Sequence, residues 1–574
     1  MAYLEEYQKW MKSPALSDAE RVELAGIVND EKEIKERFFA PLEFGTGGLR
    51  GVMEAGLRRM NHHTVRWTTQ AFANLILEEG EEAAQKGVAI AYDCRNNSEA
   101  FAKDAASVLA ANGIKVKLFD GMRPTPELSF AIREYGCIAG VNVTASHNPK
   151  EYNGYKVYWD DGAQLPPHHA DKISNGTAAI DIFKDVKTMP FDEALKAGMV
   201  EILGDAADAR FLDLCKCQSV GRDGIMPQIK ALKLVYTPFH GTGYKLVPRI
   251  FADMGFENVL CVQEQMIPDG DFPTVKSPNP EEPEGFALAV KLARENDVDV
   301  IIGTDPDADR VGVMVRDKHG EYQVLSGNQT GVLLLDYIIR ARKEAGTMPR
   351  KPVAVKSVVS TNMARAVAEA HGVEMHDTFT GFKFLAEFIG KLPPDKKYIF
   401  AFEESFGYLA GDHARDKDAV TASMLVAEMA AWHKKRGDTL RDALDGLYRT
   451  YGHYKEKTMS IVMPGADGLE KMGALMEKWR EDPPGSMGGI TTLAVRDYKT
   501  GERYVLSGHG GMEDLDISGS DVLYFEMEDG TTLIVRPSGT EPKMKVYILA
   551  KGQTNAECDA KIEHYITCAK MMVR

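Results

Sequence analysis

Cysteine is scarce in this chain, seven of 574 residues, and only Cys215 and Cys217 lie close together. A single C-x-C pair is a poor zinc framework. An odd, scattered set is no disulfide scaffold, so reduced thiols and a cytoplasmic location are expected. Long apolar runs are missing too. A membrane-spanning helix needs about 20 apolar residues, and Val332-Leu333-Leu334-Leu335 is stopped by Asp336. The segment Met1-Ala2-Tyr3-Leu4-Glu5-Glu6 carries charge where a secretory signal would begin its apolar core. Positive charge is in deficit: 69 Lys+Arg stand against 85 Asp+Glu, a net charge of −16. That balance disfavours nucleic acid and membrane surfaces as partners, so any phosphate-binding site must gather its cations locally. No Walker A sequence occurs, which disfavours an ATP-dependent kinase. The glycine clusters Gly45-Thr46-Gly47 and Gly241-Thr242-Gly243 fail the dinucleotide fingerprint at its sixth position, where Arg50 and Leu246 stand.

What is present is a long soluble-type composition, 44% hydrophobic and 27% charged, too long for one core. Residues 1–40 read as charged helices lying on a first domain. From there strand-like apolar runs alternate with amphipathic helical stretches. Gly87 to Tyr92 is followed by a helix over 98–112, Val116 to Phe119 by a helix over 126–135, and a third run ends at Val143. This β-α-β alternation predicts mostly parallel sheets covered by helices. It recurs over 206–320 and 321–450. The final part, 451–574, reads instead as a smaller α+β domain with a strand meander and a terminal helix. The predicted division is therefore 1–205, 206–320, 321–450 and 451–574.

Two loops carry the chemistry. Thr144-Ala145-Ser146-His147-Asn148-Pro149 follows one buried-looking strand, and Asp305, Asp307 and Asp309 in Gly303 to Arg310 follow another. Reactive groups of α/β proteins sit at such carboxyl ends of strands. Ser146 alone is equally a Ser-Asn-Pro turn whose hydroxyl bonds the backbone. The three carboxylates alone read equally as a solvated acidic turn. Alternate carboxylates on an extended loop can, however, converge on one hard cation, and Arg310 beside them suits a metal-bound phosphate. The pair predicts a phosphate-carrying serine next to a divalent metal. Arg536-Pro537-Ser538-Gly539-Thr540-Glu541-Pro542-Lys543 combines a guanidinium, hydroxyls and a glycine as an anion-binding loop would, or is a plain hairpin connection. Glu403-Glu404-Ser405-Phe406-Gly407 offers acceptors for sugar hydroxyls, and Lys383 a nearby cation; each is a weak signal alone.

These segments, in this order from Gly45 to Lys545, resemble the α-D-phosphohexomutase family, nearest its glucose-phosphate branch. The resemblance implies an α/β fold of four domains around a central cleft, three related α/β domains plus a C-terminal α+β domain. It implies a phosphoserine at Ser146 and one Mg²⁺ per chain on Asp305, Asp307, Asp309 and the Ser146 phosphate. The implied reaction interconverts glucose 1-phosphate and glucose 6-phosphate through glucose 1,6-bisphosphate, which serves as intermediate and activator. Mannose phosphate is a further substrate in this reading. Pentose phosphate, or synthesis of the bisphosphate from a separate donor, is the alternative. Lys156 is the implied general acid/base, its pKa lowered in a buried cationic site, with His147, Arg50 and Arg310 beside the reacting phosphate. Glu403 and Ser405 would grip the sugar, Lys383 would contact it from the third domain, and Arg536, Ser538, Gly539 and Thr540 would hold the other phosphate. The partner is thus a hexose phosphate, and the chain a monomer or homodimer. Glu-Glu-Ser-Phe-Gly-Tyr departs from the Gly-Gly or Gly-His endings of several subgroups, so the sugar preference is the least specified property.

Overall fold

The computed structural model describes residues 2–45, 47–317, 319–463, 467–508, 510–538 and 543–572. The apolar runs read above become the centres of three mixed sheets. In the first, Val88–Tyr92 lies parallel to Ala139–Val143 on one side and to Val116–Phe119 on the other, with Val200–Leu203 at one edge. Every residue of Val88–Tyr92 and Ala139–Val143 is buried, as a strand covered on both faces requires. The helices Ser98–Ala111 and Thr125–Glu134 supply the covering layers. Lys233–Thr237 and Val300–Thr304 pair in parallel at the centre of the second sheet. Pro352–Ser357, Glu374–Thr378 and Lys397–Glu403 do the same in the third.

Each of these sheets also has antiparallel strands that the alternation did not predict. Gly48–Val52 and Tyr152–Trp159 extend the first, Val311–Arg316 and Tyr322–Leu325 the second, and Gly407–Leu409 the third. Three of them directly follow a chemistry-bearing loop. The loops carrying Ser146, the three aspartates and Glu404-Ser405-Phe406 therefore each connect two neighbouring strands of one sheet, which fixes both ends of the loop.

The last sheet is antiparallel throughout, ordered His453–Val462, Lys543–Gly552, Thr532–Pro537, Leu523–Met527, Ile490–Asp497, Glu502–Val505 and Gly511–Asp514. The helix Asn555–Met572 packs on it. Its opposite contact is with the third sheet, where Val358 and Val359 join Tyr498, Val522, Tyr524 and Ile534 in one buried cluster. The N-terminal helices Ala2–Lys12, Asp18–Gly26 and Glu31–Phe38 lie on the first unit and bury Trp10, Leu24 and Phe38 beside Trp67. Among the described residues no helix is long and apolar enough to cross a membrane.

Candidate active site

Ser146 is held in a conformation it would not adopt freely. Its φ is +50°, a left-handed geometry that costs an L-residue about 1–2 kcal/mol. The Ser146 amide donates to Thr144 Oγ1 at 2.9 Å, and the Thr144 hydroxyl donates to buried Asp93 at 2.6 Å. Arg95, whose side chain is fully buried, donates to the carbonyls of Ser146, Asn148, Pro149 and Tyr152 at 2.6, 2.5, 2.9 and 3.0 Å. One guanidinium thus anchors four carbonyls of the loop. The result aims the Ser146 hydroxyl across the boundary between two sheets, where it donates to Asp305 Oδ2 at 2.7 Å. His147 Nδ1 lies 3.3 Å from the same hydroxyl.

The three carboxylates converge, but not on an extended loop. Asp305 Oδ1 accepts from the amides of Asp309 and Arg310 at 3.1 and 3.0 Å, the Ala308 amide bonds the Asp305 carbonyl, and Ala308 has φ +48°. This closed turn keeps one oxygen of each of Asp305, Asp307 and Asp309 within 4.8 Å of the others, all buried. Asp307 Oδ1 and Asp309 Oδ1 are buried without a hydrogen-bond partner. Such oxygens are costly unless a cation meets them. An all-carboxylate set beside a serine oxygen suits a hard divalent ion, so the residues fit the metal that the resemblance implies. The turn is also tied to the first unit. Thr125 donates its backbone amide to the Asp307 carbonyl and its hydroxyl to Asp307 Oδ2, both at 2.8 Å, and Asn142 donates to Thr125 Oγ1 at 2.7 Å.

Cations surround this pocket. Lys156 Nζ lies 2.7 Å from Asp307 and 3.8 Å from Asp309. Burial works against its charge, but Asp307 and Asp309 prevail and hold its pKa above the ordinary lysine range. That corrects the expectation of a lowered pKa: around Lys156 the carboxylates outweigh the neighbouring Lys417. Burial, with Arg310 and Arg50 adding repulsion, pushes His147 down to about 2, leaving it a neutral imidazole. Burial and the neighbouring carboxylates push Asp305 up, whereas Lys156 draws Asp307 down against burial. Arg310 approaches Glu281 at 3.3 Å and Asp309 at 3.8 Å, and Arg50 donates to Asn148 at 3.0 Å.

Glu403 reaches, through Gly381, a cavity that is also lined by Arg536 and Ser538. Glu403 is buried and accepts from the Gly381 amide at 2.7 Å, two residues before Lys383. Burial, opposed by Lys417, raises Glu403 to about 7. Ser405 is half-buried beside it. Lys383, Arg536 and Ser538 line a cavity of about 450 Å³ together with Lys543, Lys545 and Gln164. Gly539 and Thr540 lie outside the described residues.

Several groups escaped the sequence reading. Lys417 Nζ is 3.2 Å from Asp309 and 2.9 Å from Asp416, and both partners hold its charge against burial. Its signal was the run Asp412-His413-Ala414-Arg415-Asp416-Lys417-Asp418, dense in charge directly before an apolar helix. Lys545 pairs with Arg536 across neighbouring strands, and burial and Arg536 lower its pKa. Arg95 gave no signal, since it binds carbonyls that are invisible in the sequence. A second buried group, Cys215, His413 and Asp418, is a hydrogen-bonded helix cap. Asp418 accepts from the amides of Val420 and Thr421 and lies 2.7 Å from His413, while the Cys215 sulfur is 3.8 Å from both.

The chain matches the family models for phosphoglucomutase/phosphomannomutase alpha/beta/alpha domain I over residues 41–182, domain II over 224–320 and domain III over 326–451. It is 35% identical over 536 residues to a phosphoglucomutase of Staphylococcus haemolyticus, covering 93% of this chain and 94% of that one. With a phosphoglucomutase of Staphylococcus epidermidis it shares 36% over 517 residues, 90% and 92% of the two chains. Among solved structures, a putative phosphomannomutase from Thermus thermophilus superposes with a TM-score of 0.67 at 24% identity, covering 92% of this chain and 99% of that one. The Paramecium phosphoglucomutase parafusin gives 0.67 at 18% identity, over 93% and 95%. These two likenesses concern the fold.

Proposed function

Because the chain belongs to the phosphoglucomutase/phosphomannomutase family, we propose that it interconverts glucose 1-phosphate and glucose 6-phosphate, with Ser146 as the phosphate carrier. One observation carries this most: a strained serine hydroxyl 2.7 Å from a buried, three-carboxylate turn with two unpartnered oxygens. In this reading phospho-Ser146 gives its phosphoryl group to the free hydroxyl of the hexose phosphate. The bisphosphate formed turns around and returns its other phosphate to Ser146. Mg²⁺ on Asp305, Asp307, Asp309 and the Ser146 phosphate would neutralise charge on the transferring group.

The chain's own groups do the rest. Arg50, His147 and Arg310 flank the transferring phosphate. Lys156 is the general acid, its proton secured by Asp307 and Asp309. Glu403 and Ser405 receive sugar hydroxyls, and Lys383, Arg536, Ser538, Gly539 and Thr540 hold the phosphate that is not reacting. The four-cation wall of Lys383, Arg536, Lys543 and Lys545 in a chain of net charge −16 supports that last assignment. The four units divide at 205/206, 320/321 and 450/451, and the cleft lies among them. Seven free cysteines agree with a reducing, cytoplasmic setting.

The test is kcat/KM on glucose 1-phosphate, mannose 1-phosphate and ribose 1-phosphate, each primed with its bisphosphate. Glucose 1-phosphate should be the best substrate. Turnover of ribose 1-phosphate alone would replace the hexose assignment.

A further inference from the structure

The cavity of about 450 Å³ has one neutral polar wall. Lys383, Arg536, Lys543 and Lys545 give it four cations, and no carboxylate is among its described lining residues. Gln164 faces them, the one described lining residue from the first sheet unit. Three features fix it there. Its backbone bridges to Tyr158. Its Nε2 donates to Asp416 Oδ2 at 3.3 Å, an oxygen that also accepts from Tyr158 at 2.9 Å. Its Oε1 lies where a Cβ on Gly47 would come within 2.8 Å, so the glycine at 47 makes the room that the amide occupies.

Asp416 in turn binds Lys417, and Lys417 reaches Asp309 at 3.2 Å. The amide thus lines the cation-lined cavity and is linked through Asp416 and Lys417 to the carboxylate turn, as a group beside the sugar would be if one phosphate were bound at each. We propose that Gln164 is a substrate-contacting residue whose amide hydrogen-bonds the hexose hydroxyls in both orientations of the bisphosphate. This inference rests on the two-orientation reading of the site.

The chemistry favours an amide at this position. A sugar that turns around presents different hydroxyls, with different donor and acceptor directions, to the same wall. An amide offers two N–H donors and a carbonyl acceptor, so it can serve either face. One N–H is committed to Asp416, and the remaining donor and the carbonyl are left for the ligand. A carboxylate would only accept and would repel phosphate, while a further cation would only donate. Gly47 belongs to the glycine cluster that fits no nucleotide fingerprint, and its contact with Gln164 gives that glycine a purpose.

The experiment compares wild type with Gln164→Leu, Gln164→Asn and Gln164→Glu in both reaction directions, with thermal melts and the phosphorylated fraction of Ser146 measured alongside. Losing one hydrogen bond to the sugar should raise KM for glucose 1-phosphate and glucose 6-phosphate about tenfold, ~1.4 kcal/mol, and lower kcat less. Gln164→Glu should be the worst of the three, and the phosphorylated fraction should stay at the wild-type level. Gly47→Ala should raise KM similarly, and adding Gln164→Leu to it should bring no further loss. KM values within twofold of wild type in all three Gln164 variants would overturn the inference. A wild-type enzyme inactive on every hexose phosphate would sink the parent reading and this inference with it.

Discussion

Replacing Arg95 separates the geometry of the serine loop from its chemistry. The Arg95 guanidinium serves the carbonyls of Ser146, Asn148, Pro149 and Tyr152 from a fully buried position. A hydrogen bond from a charged donor is worth about 1.5–3 kcal/mol net, so the four together approach ~6–12 kcal/mol if none is replaced. The loop lies at a cleft, and water will replace part of that. We therefore expect Arg95→Met to cost ~3–5 kcal/mol, a large share of a domain's usual margin of ~5–15 kcal/mol. Relief of the left-handed Ser146 conformation offsets part of that cost, since a loop freed of its anchor no longer has to keep it. Arg95→Lys keeps the charge opposite Asp93 but replaces a planar fork by one ammonium, and should lose about half as much. Urea unfolding gives the stability change, and kcat with the phosphorylated fraction gives the functional one. A misplacement of about 1 Å can cost 100-fold in rate, so kcat should fall by about that factor in Arg95→Met while the protein stays folded. Unfolding free energy within ~0.5 kcal/mol of wild type, together with unchanged kcat, would refute the anchoring argument.

Two further outcomes follow from the charged groups. Burial raises Glu403 to about 7 in the folded protein, so its proton supports the fold below the ordinary carboxylate range and that support is lost as pH rises through about 7. Relative to Glu403→Gln, the wild type should lose ~2–3 kcal/mol of stability between pH 5 and 8 in denaturant titrations; a difference that does not change with pH would contradict burial as the cause. Asp307→Asn removes the negative charge that pairs with Lys156 and one carboxylate of the turn, and puts an NH2 in place of one of its oxygens. Calorimetric titration with Mg²⁺ should show lost or much weaker binding, and kcat should fall at least about 100-fold; full Mg²⁺ affinity would remove Asp307 from the site.

The central strands and the loops carrying Ser146 and the three aspartates were legible because burial leaves a local signature. Val88–Tyr92, Ala139–Val143 and Val300–Thr304 are short apolar runs, and the polar loops at their ends stand out against them. Strands such as Gly48–Val52 and Tyr152–Trp159 are edge or partner strands with mixed composition, so periodicity gave no cue and only pairing in space defines them. The same division holds in the site. Ser146 and the three aspartates announce themselves by spacing, whereas Arg95 and Thr125 act on backbone and side-chain atoms 51 to 182 residues away. The pKa direction of Lys156 depends on which charges the fold brings to it, and those that raise it most come from residues 307 and 309.

Intact-mass analysis of wild type and Ser146→Ala after exposure to glucose 1,6-bisphosphate tests the phosphate-carrier claim most directly. Wild type should gain a species heavier by one phosphate, mapped by peptide analysis to Ser146, and the variant should show neither that species nor measurable turnover. A Ser146→Ala protein that is phosphorylated or turns over glucose 1-phosphate as wild type does would contradict the account.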